Sequence, residues 1–189
     1  LRSGGVERGT LEIAEAQIAA GFRAIVASAG GEMVSALEAL GAKHITLPLT
    51  AKSPFAIWRN AAALTALARA EGVALIHARS RAPAWSALMA ARRAGLPFVT
   101  TYHGAYSGTS GLKRAYNSVM AKGDLVIANS EWIAAHVHEV HGLAPEKIVT
   151  IPRGVDLAAF DPAAVPAADV ERIRGLWGLA GDPRLVLLL

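Results

Sequence analysis

The 189 residues contain no cysteine. That excludes a disulfide framework, a cysteine-ligated zinc site and a thiol nucleophile, and it is compatible with the cytosol. No stretch approaches the ~18 uninterrupted apolar residues of a membrane span. The opening Leu1-Arg2-Ser3-Gly4-Gly5 has no apolar core of a secretory signal. There is no long basic run and no interleaved aromatic array, so nucleic acid is not an expected partner. Charge is sparse: 18% of residues are charged, against roughly 25% in an average soluble domain.

What is present is apolar and slightly basic. Hydrophobic residues make up 53% of the chain and the formal charge is +4. The first figure suits strands buried on both faces. The second favours anionic partners such as nucleotide diphosphates or acidic lipids.

Apolar, β-branched runs alternate with amphipathic stretches. Strands are expected at Phe22–Ala27, His44–Leu49, Val73–His77, Phe98–Tyr102, Leu125–Ala128 and Ile148–Ile151. Helices are expected between them. One runs from Phe55 to Ala70 behind the N-cap pair Ser53-Pro54. Another, Ala82–Ala94, stops at Gly95, and Glu131–His141 stops at Gly142. Gly4 to Arg8 reads as a strand-to-helix turn feeding a helix over Thr10–Ala20. Such alternation predicts an α/β fold, a Rossmann-like parallel sheet with helices on both faces. Its ligand crevice lies at the C-terminal ends of the strands.

Three domain segments are expected. Residues 1–153 form a Rossmann-like domain lacking its first strand, because nothing precedes the turn at Gly4. Residues 154–183, rich in Asp, Pro and Ala, form a linker with a short helix near Ala168–Trp177. Residues 184–189 start a further apolar strand.

Candidate site residues follow the strands. Gly4-Gly5, flanked by Arg2 and Arg8, lets backbone and a helix N-terminus approach an anion. His103, followed by Gly104, sits at the crevice mouth, where it can hydrogen-bond a sugar hydroxyl or act as a base. Arg79, Ser80 and Arg81 occupy the loop after Ile76-His77-Ala78, and suit an anionic or polyhydroxylated ligand; His77 belongs to the strand and is expected to be buried and hydrogen-bonded. His136, His138 and His141 lack the i, i+4 spacing of a zinc helix and read as a solvated helix side. No metal or cofactor is expected. The tryptophans at 58, 85, 132 and 177 read as packing anchors.

The stretch Asp124-Leu125-Val126-Ile127-Ala128-Asn129-Ser130, then a helix, then Ile151-Pro152-Arg153-Gly154-Val155-Asp156 is similar to a pattern in family 4 glycosyltransferases. There a strand ends near Asn-Ser and the next ends in Pro-Asn-Gly-Val-Asp; this chain has Arg153 where Asn is usual. Gly4-Gly5-Val6-Glu7 resembles the family's N-terminal glycine loop, and Thr101-Tyr102-His103-Gly104 resembles its Thr-x-His-Gly segment. The resemblance implies one half of a GT-B enzyme with two Rossmann-like domains facing across a cleft, here truncated at both ends.

By that resemblance, the enzyme transfers a sugar from a nucleotide-sugar donor to a saccharide or lipid-linked acceptor, with retention of configuration. His103 is then catalytic. Gly4, Gly5, Arg79, Ser80, Arg81, Gly104, Asn129, Ser130 and Arg153 contact substrate or donor phosphate. The donor is held mainly by the absent C-terminal domain, so the fragment alone is expected to be inactive. The resemblance also implies cell-envelope polysaccharide or lipopolysaccharide synthesis, in the cytoplasm or peripherally at the inner membrane face. A sugar-nucleotide epimerase of like architecture and a non-catalytic anion-binding domain remain open alternatives.

Overall fold

The computed structural model describes residues 1, 4–106 and 110–179. The strand expected at 184–189, Arg2, and part of the loop after Gly104 lie outside them. The chain divides into two compact units, Leu1–Arg153 and Gly154–Leu189.

The first unit alternates helix and strand: α1 Gly5–Ala19, β1 Ile25–Ser28, α2 Val34–Ala39, β2 Lys43–Thr46, α3 Pro54–Ala70, β3 Ile76–Ala78, α4 Arg81–Ala94, β4 Phe98–Tyr102, α5 Gly111–Asn117, β5 Leu125–Ala128, α6 Glu131–His141 and β6 Ile148–Thr150. A 3-10 turn, Ser118–Ala121, continues α5. All strand pairs are parallel. The ladder falls into two sheets, β1-β2 and β3-β4-β5-β6. Among the described residues β1 pairs only with β2, and β3 only with β4, so β1 and β3 are not bonded to each other. Chain progression reverses between β1 and β3, which is the switch point where ligands collect in open α/β sheets.

Local chemistry explains the helices. Ser53 Oγ accepts from the Ala56 N–H at 3.2 Å, and Pro54 takes the first helical position of α3. Gly95 and Gly142 end α4 and α6 at φ 68° and 62°, left-handed values that suit glycine. The helix α1 starts at Gly5 rather than Thr10, so Gly5 to Arg8 already form its first turn and only Gly4 caps it. Helices α2 and α5, six and seven residues long, were not legible in the sequence; each is too short to show a clear period.

The main core lies around β4, whose Phe98, Thr100, Thr101 and Tyr102 are buried. Ala84, Ala87 and Ala91 of α4 pack there with Val126, Ile133, Val137, Val119 and Met120. Thr100 Oγ1 donates to the Met120 carbonyl at 2.6 Å, satisfying a hydroxyl with no access to water. A smaller core joins Leu11 and Ala14 of α1 to Leu37 of α2 and to Ala24 and Ala42.

The second unit, described to residue 179, holds a 3-10 turn at Pro162–Ala164 and helix α7 at Ala167–Leu176, which has no buried residue. A helix without a buried face has little beyond its own propensity to hold it. Amides of Ala167–Leu176 should therefore exchange with solvent about a thousandfold or more faster than those of Phe98–Tyr102. Equal protection of both segments in a hydrogen-exchange experiment would contradict that division.

Candidate active site

Four parallel strands deliver their C-terminal ends to one edge. Arg79 follows β3, His103 follows β4, Asn129 follows β5 and Arg153 lies three residues beyond β6. The first turn of α1 meets them there. A Cβ on Gly5 would lie 2.5 Å from Arg153 Nη1, so glycine lets the guanidinium rest against the helix start. A Cβ on Gly9 would lie 2.9 Å from Arg79 Nη2. Arg79 Nε donates to Thr10 Oγ1 at 3.2 Å, tying the loop after β3 to α1.

His103 is the hub. Arg153 Nη2 donates to His103 Nδ1 at 3.2 Å. A guanidinium can only donate, so Nδ1 accepts and the neutral ring carries its proton on Nε2. That Nε2 is buried and has no hydrogen-bond partner among the described residues. Asn129 Nδ2 donates to the His103 carbonyl at 3.0 Å, which fixes the amide orientation. Its Oδ1 is likewise buried and unpartnered among the described residues. The site thus keeps one donor and one acceptor in reserve, each costly to bury unpaired. A hydroxyl group can satisfy either, since it both donates and accepts.

Electrostatics holds the ring neutral. Burial, then the nearby Arg79 and Arg153, push the His103 pKa from 6.5 down to about 4. His77, half-buried beside it with Nε2 2.7 Å from Thr101 Oγ1, is pushed down to about 4 by burial, Arg79 and His103. Arg79 itself is lowered by burial and by Arg153, with Glu12 opposing. Two guanidiniums held this close favour an anion between or beside them. Glu7 supplies one carboxylate nearby: its Oε2 sits 2.5 Å from where a Gly4 Cβ would be, over the start of α1.

The structure brings together Gly4, Gly5, Arg79, His103, Gly104, Asn129 and Arg153. Apart from its chain neighbours, no described residue lies within 4 Å of where a Gly104 Cβ would be. Two other candidates, Arg81 and Ser130, have different occupations, and a third, Ser80, faces solvent. Arg81 Nη1 donates to Asn117 Oδ1 at 2.9 Å, and its guanidinium lies 4.3 Å over the Tyr106 ring. Ser130 Oγ caps α6 by accepting from the Ile133 N–H at 3.2 Å. Ser80 is exposed and its side chain makes no capping bond to α4. Sequence reasoning missed Thr10 and Gly9; the signal was a glycine inside a helix, which is unfavourable unless something must come close. The three histidines of α6 go separate ways: His136 stacks on Trp132, His138 Nδ1 bonds the Leu143 carbonyl, and His141 Nε2 meets the Tyr102 hydroxyl.

The family model of Glycosyltransferase Family 4 matches residues 3–159. No curated protein matches the sequence. Among solved structures, a glycosyltransferase from Rickettsia africae is 36% identical with a TM-score of 0.81, over 96% of this chain and 49% of that one. Anabaena Alr3699/HepE in complex with UDP is 22% identical at TM-score 0.74, over 94% of this chain and 47% of that one. Sucrose-phosphate synthase from Thermosynechococcus elongatus is 18% identical at 0.64, over 94% and 48%. The chain spans about half the length of these structures, and all three likenesses share its fold.

The depressed histidine pKa has a definite pH signature. In the unfolded chain the His103 and His77 rings take up protons near 6.5, while in the folded protein they resist until about 4. Between those values the unfolded state binds more protons, so stability should fall as pH drops from 6.5 towards 4. Ring NMR should find His103 titrating near 4; a midpoint at the ordinary value would mean that the ring is neither buried nor under the influence of Arg79 and Arg153 as described.

Proposed function

Since the chain belongs to Glycosyltransferase Family 4, we propose that it forms the acceptor-side half of an enzyme that moves a hexose from a nucleotide-sugar to a saccharide or lipid-linked acceptor with retention of configuration. The observation that carries this reading is the pair of buried, unpartnered groups at His103 Nε2 and Asn129 Oδ1, beside two guanidiniums. A donor and an acceptor match sugar hydroxyls, and the cations match a diphosphate. The Anabaena relative was solved with UDP and with UDP-glucose, which supports a nucleotide-sugar as donor.

Glycosyl transfer builds positive charge on the sugar and negative charge on the departing diphosphate. In this reading Arg79 and Arg153 lie where they stabilise the latter, and the neutral His103 ring donates from Nε2 to a sugar oxygen. A ring with a pKa of about 4 is a weak base at neutral pH, so its role is hydrogen bonding rather than proton removal. The second domain supplies the rest of the donor site, and the fragment by itself does not turn over. Gly4 and Gly5 let the ligand and Arg153 approach the start of α1.

The acceptor reading draws on the surface. Between Ala39 and Gly123 the only acidic residue is Glu71, while Phe55, Trp58 and Leu112 are exposed on α3 and α5, near Lys52, Arg59 and Arg114 in sequence. Basic residues with exposed aromatic and aliphatic side chains favour an anionic bilayer face. This supports a cytoplasmic enzyme resting at the inner membrane face, with a lipid-linked acceptor in cell-envelope glycan synthesis.

In the full two-domain protein, His103→Ala should lower kcat and kcat/KM together by about a hundred- to thousand-fold, the cost of losing one contact made in the transition state. Thermal unfolding should be nearly unchanged, because the ring is not part of the core. Sugar transfer at near-normal rate by the folded variant would remove His103 from the chemistry.

A further inference from the structure

Helix α1 carries glycine at 5 and again at 9, about one turn apart. Gly9 lies inside the helix, where alanine is the better helix former. Its φ is not positive, so backbone conformation does not call for glycine there. Space does. A Cβ at that position would lie 2.9 Å from Arg79 Nη2, inside the distance at which such atoms rest against each other. Arg79 is 70 residues away in the chain, so no local pattern asks for the gap.

The residues beside Gly9 complete a seat. Thr10 Oγ1 donates to the Val6 carbonyl at 2.8 Å and accepts from Arg79 Nε at 3.2 Å. Its proton is committed to the helix, so a lone pair faces the guanidinium. A carboxylate that could neutralise Arg79 is turned aside. Glu12 Oε2 comes 4.0 Å from the Gly9 Cβ position, but Arg8 Nε holds Glu12 Oε1 at 3.2 Å. Half-buried Arg79 makes no ion pair among the described residues. Only its Nε–H is used, so the donors on Nη1 and Nη2 have no partner among those residues. A guanidinium kept for structure alone is best paired with a carboxylate; this one is held by its edge with its fork free.

We propose that Gly9 and Thr10 are positioning residues for sugar transfer, which set the Arg79 guanidinium so that its terminal nitrogens meet the donor's diphosphate. The inference rests on the reading of Arg79 as a phosphate-binding residue. Gly9 gives Nη2 room to lie on α1, Thr10 fixes the fork by its Nε edge, and Arg8 keeps Glu12 from quenching the charge. A planar fork anchored in this way presents its free donors in one direction, as recognition of phosphate requires. Neither Gly9 nor Thr10 touches the ligand; both act through Arg79. Misplacing such a group by about an ångström can cost about a hundredfold in rate.

The test uses the full two-domain protein with inorganic pyrophosphate as the probe, followed by titration calorimetry, and thermal unfolding beside it. Gly9→Ala should leave Tm unchanged or higher, because alanine favours the helix, yet weaken pyrophosphate binding by about tenfold. Thr10→Val, which removes the lone pair at nearly constant shape, should weaken it by a similar factor. Thr10→Ser keeps the hydroxyl and should bind within about twofold of the parent. In an Arg79→Ala background, Gly9→Ala should add less than about a twofold loss, since its effect runs through that side chain. Arg79→Ala alone separates the two ideas. Unchanged affinity in that variant would overturn the phosphate reading of Arg79, and the positioning role with it. Weakened affinity there, with Gly9→Ala and Thr10→Val both binding like the parent, would leave the phosphate reading standing and overturn the positioning role. A Gly9→Ala loss as large without Arg79 as with it would overturn that role too.

Discussion

Parallel strands carry main-chain groups that only another strand can satisfy while helices shut out water. That constraint sets the register of β3 to β6, with Ile76 opposite Phe98, Val99 opposite Leu125 and Val126 opposite Ile148. Register in turn decides where each strand ends. Four ends finish on one edge, and the residues just beyond them, Arg79, His103, Asn129 and Arg153, meet without any loop having to be long. The same constraint makes the break between β1 and β3 conspicuous, because among the described residues neither strand has a partner there.

At that edge charge and hydrogen bonding are coupled. Arg153 takes the His103 Nδ1 lone pair, and burial, reinforced by Arg79 and Arg153, makes a positive charge on the ring unfavourable. The result is a neutral imidazole whose only free proton lies on a buried Nε2. A lysine in place of Arg153 would carry the charge but not the planar fork that reaches the ring while leaving its other nitrogen against α1. The departure from the family's usual Asn at this position therefore has a structural consequence here, a cation fixed on the histidine.

Much of the fold was legible in the sequence. Phe98–Tyr102 and Leu125–Ala128 are strands to the residue, since both are short, β-branched and bounded by turn residues. The first strand began later than its apolar run, because Phe22 is exposed and Arg23 bonds the Glu71 carbonyl at the surface instead of joining the ladder. The candidate site was legible in outline through position after strands. Individual roles were not. Ser130 and Arg81 occupy the same kind of position as His103, yet one caps a helix and the other serves Asn117 and Tyr106. Which loop side chain turns inward depends on neighbours from distant segments, such as α1 meeting Arg79 across 69 residues, and no local pattern encodes that.

The central claim is that the neutral His103 ring offers its Nε2–H to the sugar being transferred. A structure of the full two-domain protein with bound nucleotide-sugar and acceptor tests it most directly. The account predicts His103 Nε2 within about 3.2 Å of a sugar oxygen, with Arg153 still on Nδ1. A bound donor sugar whose oxygens all lie beyond hydrogen-bond reach of that nitrogen would contradict it.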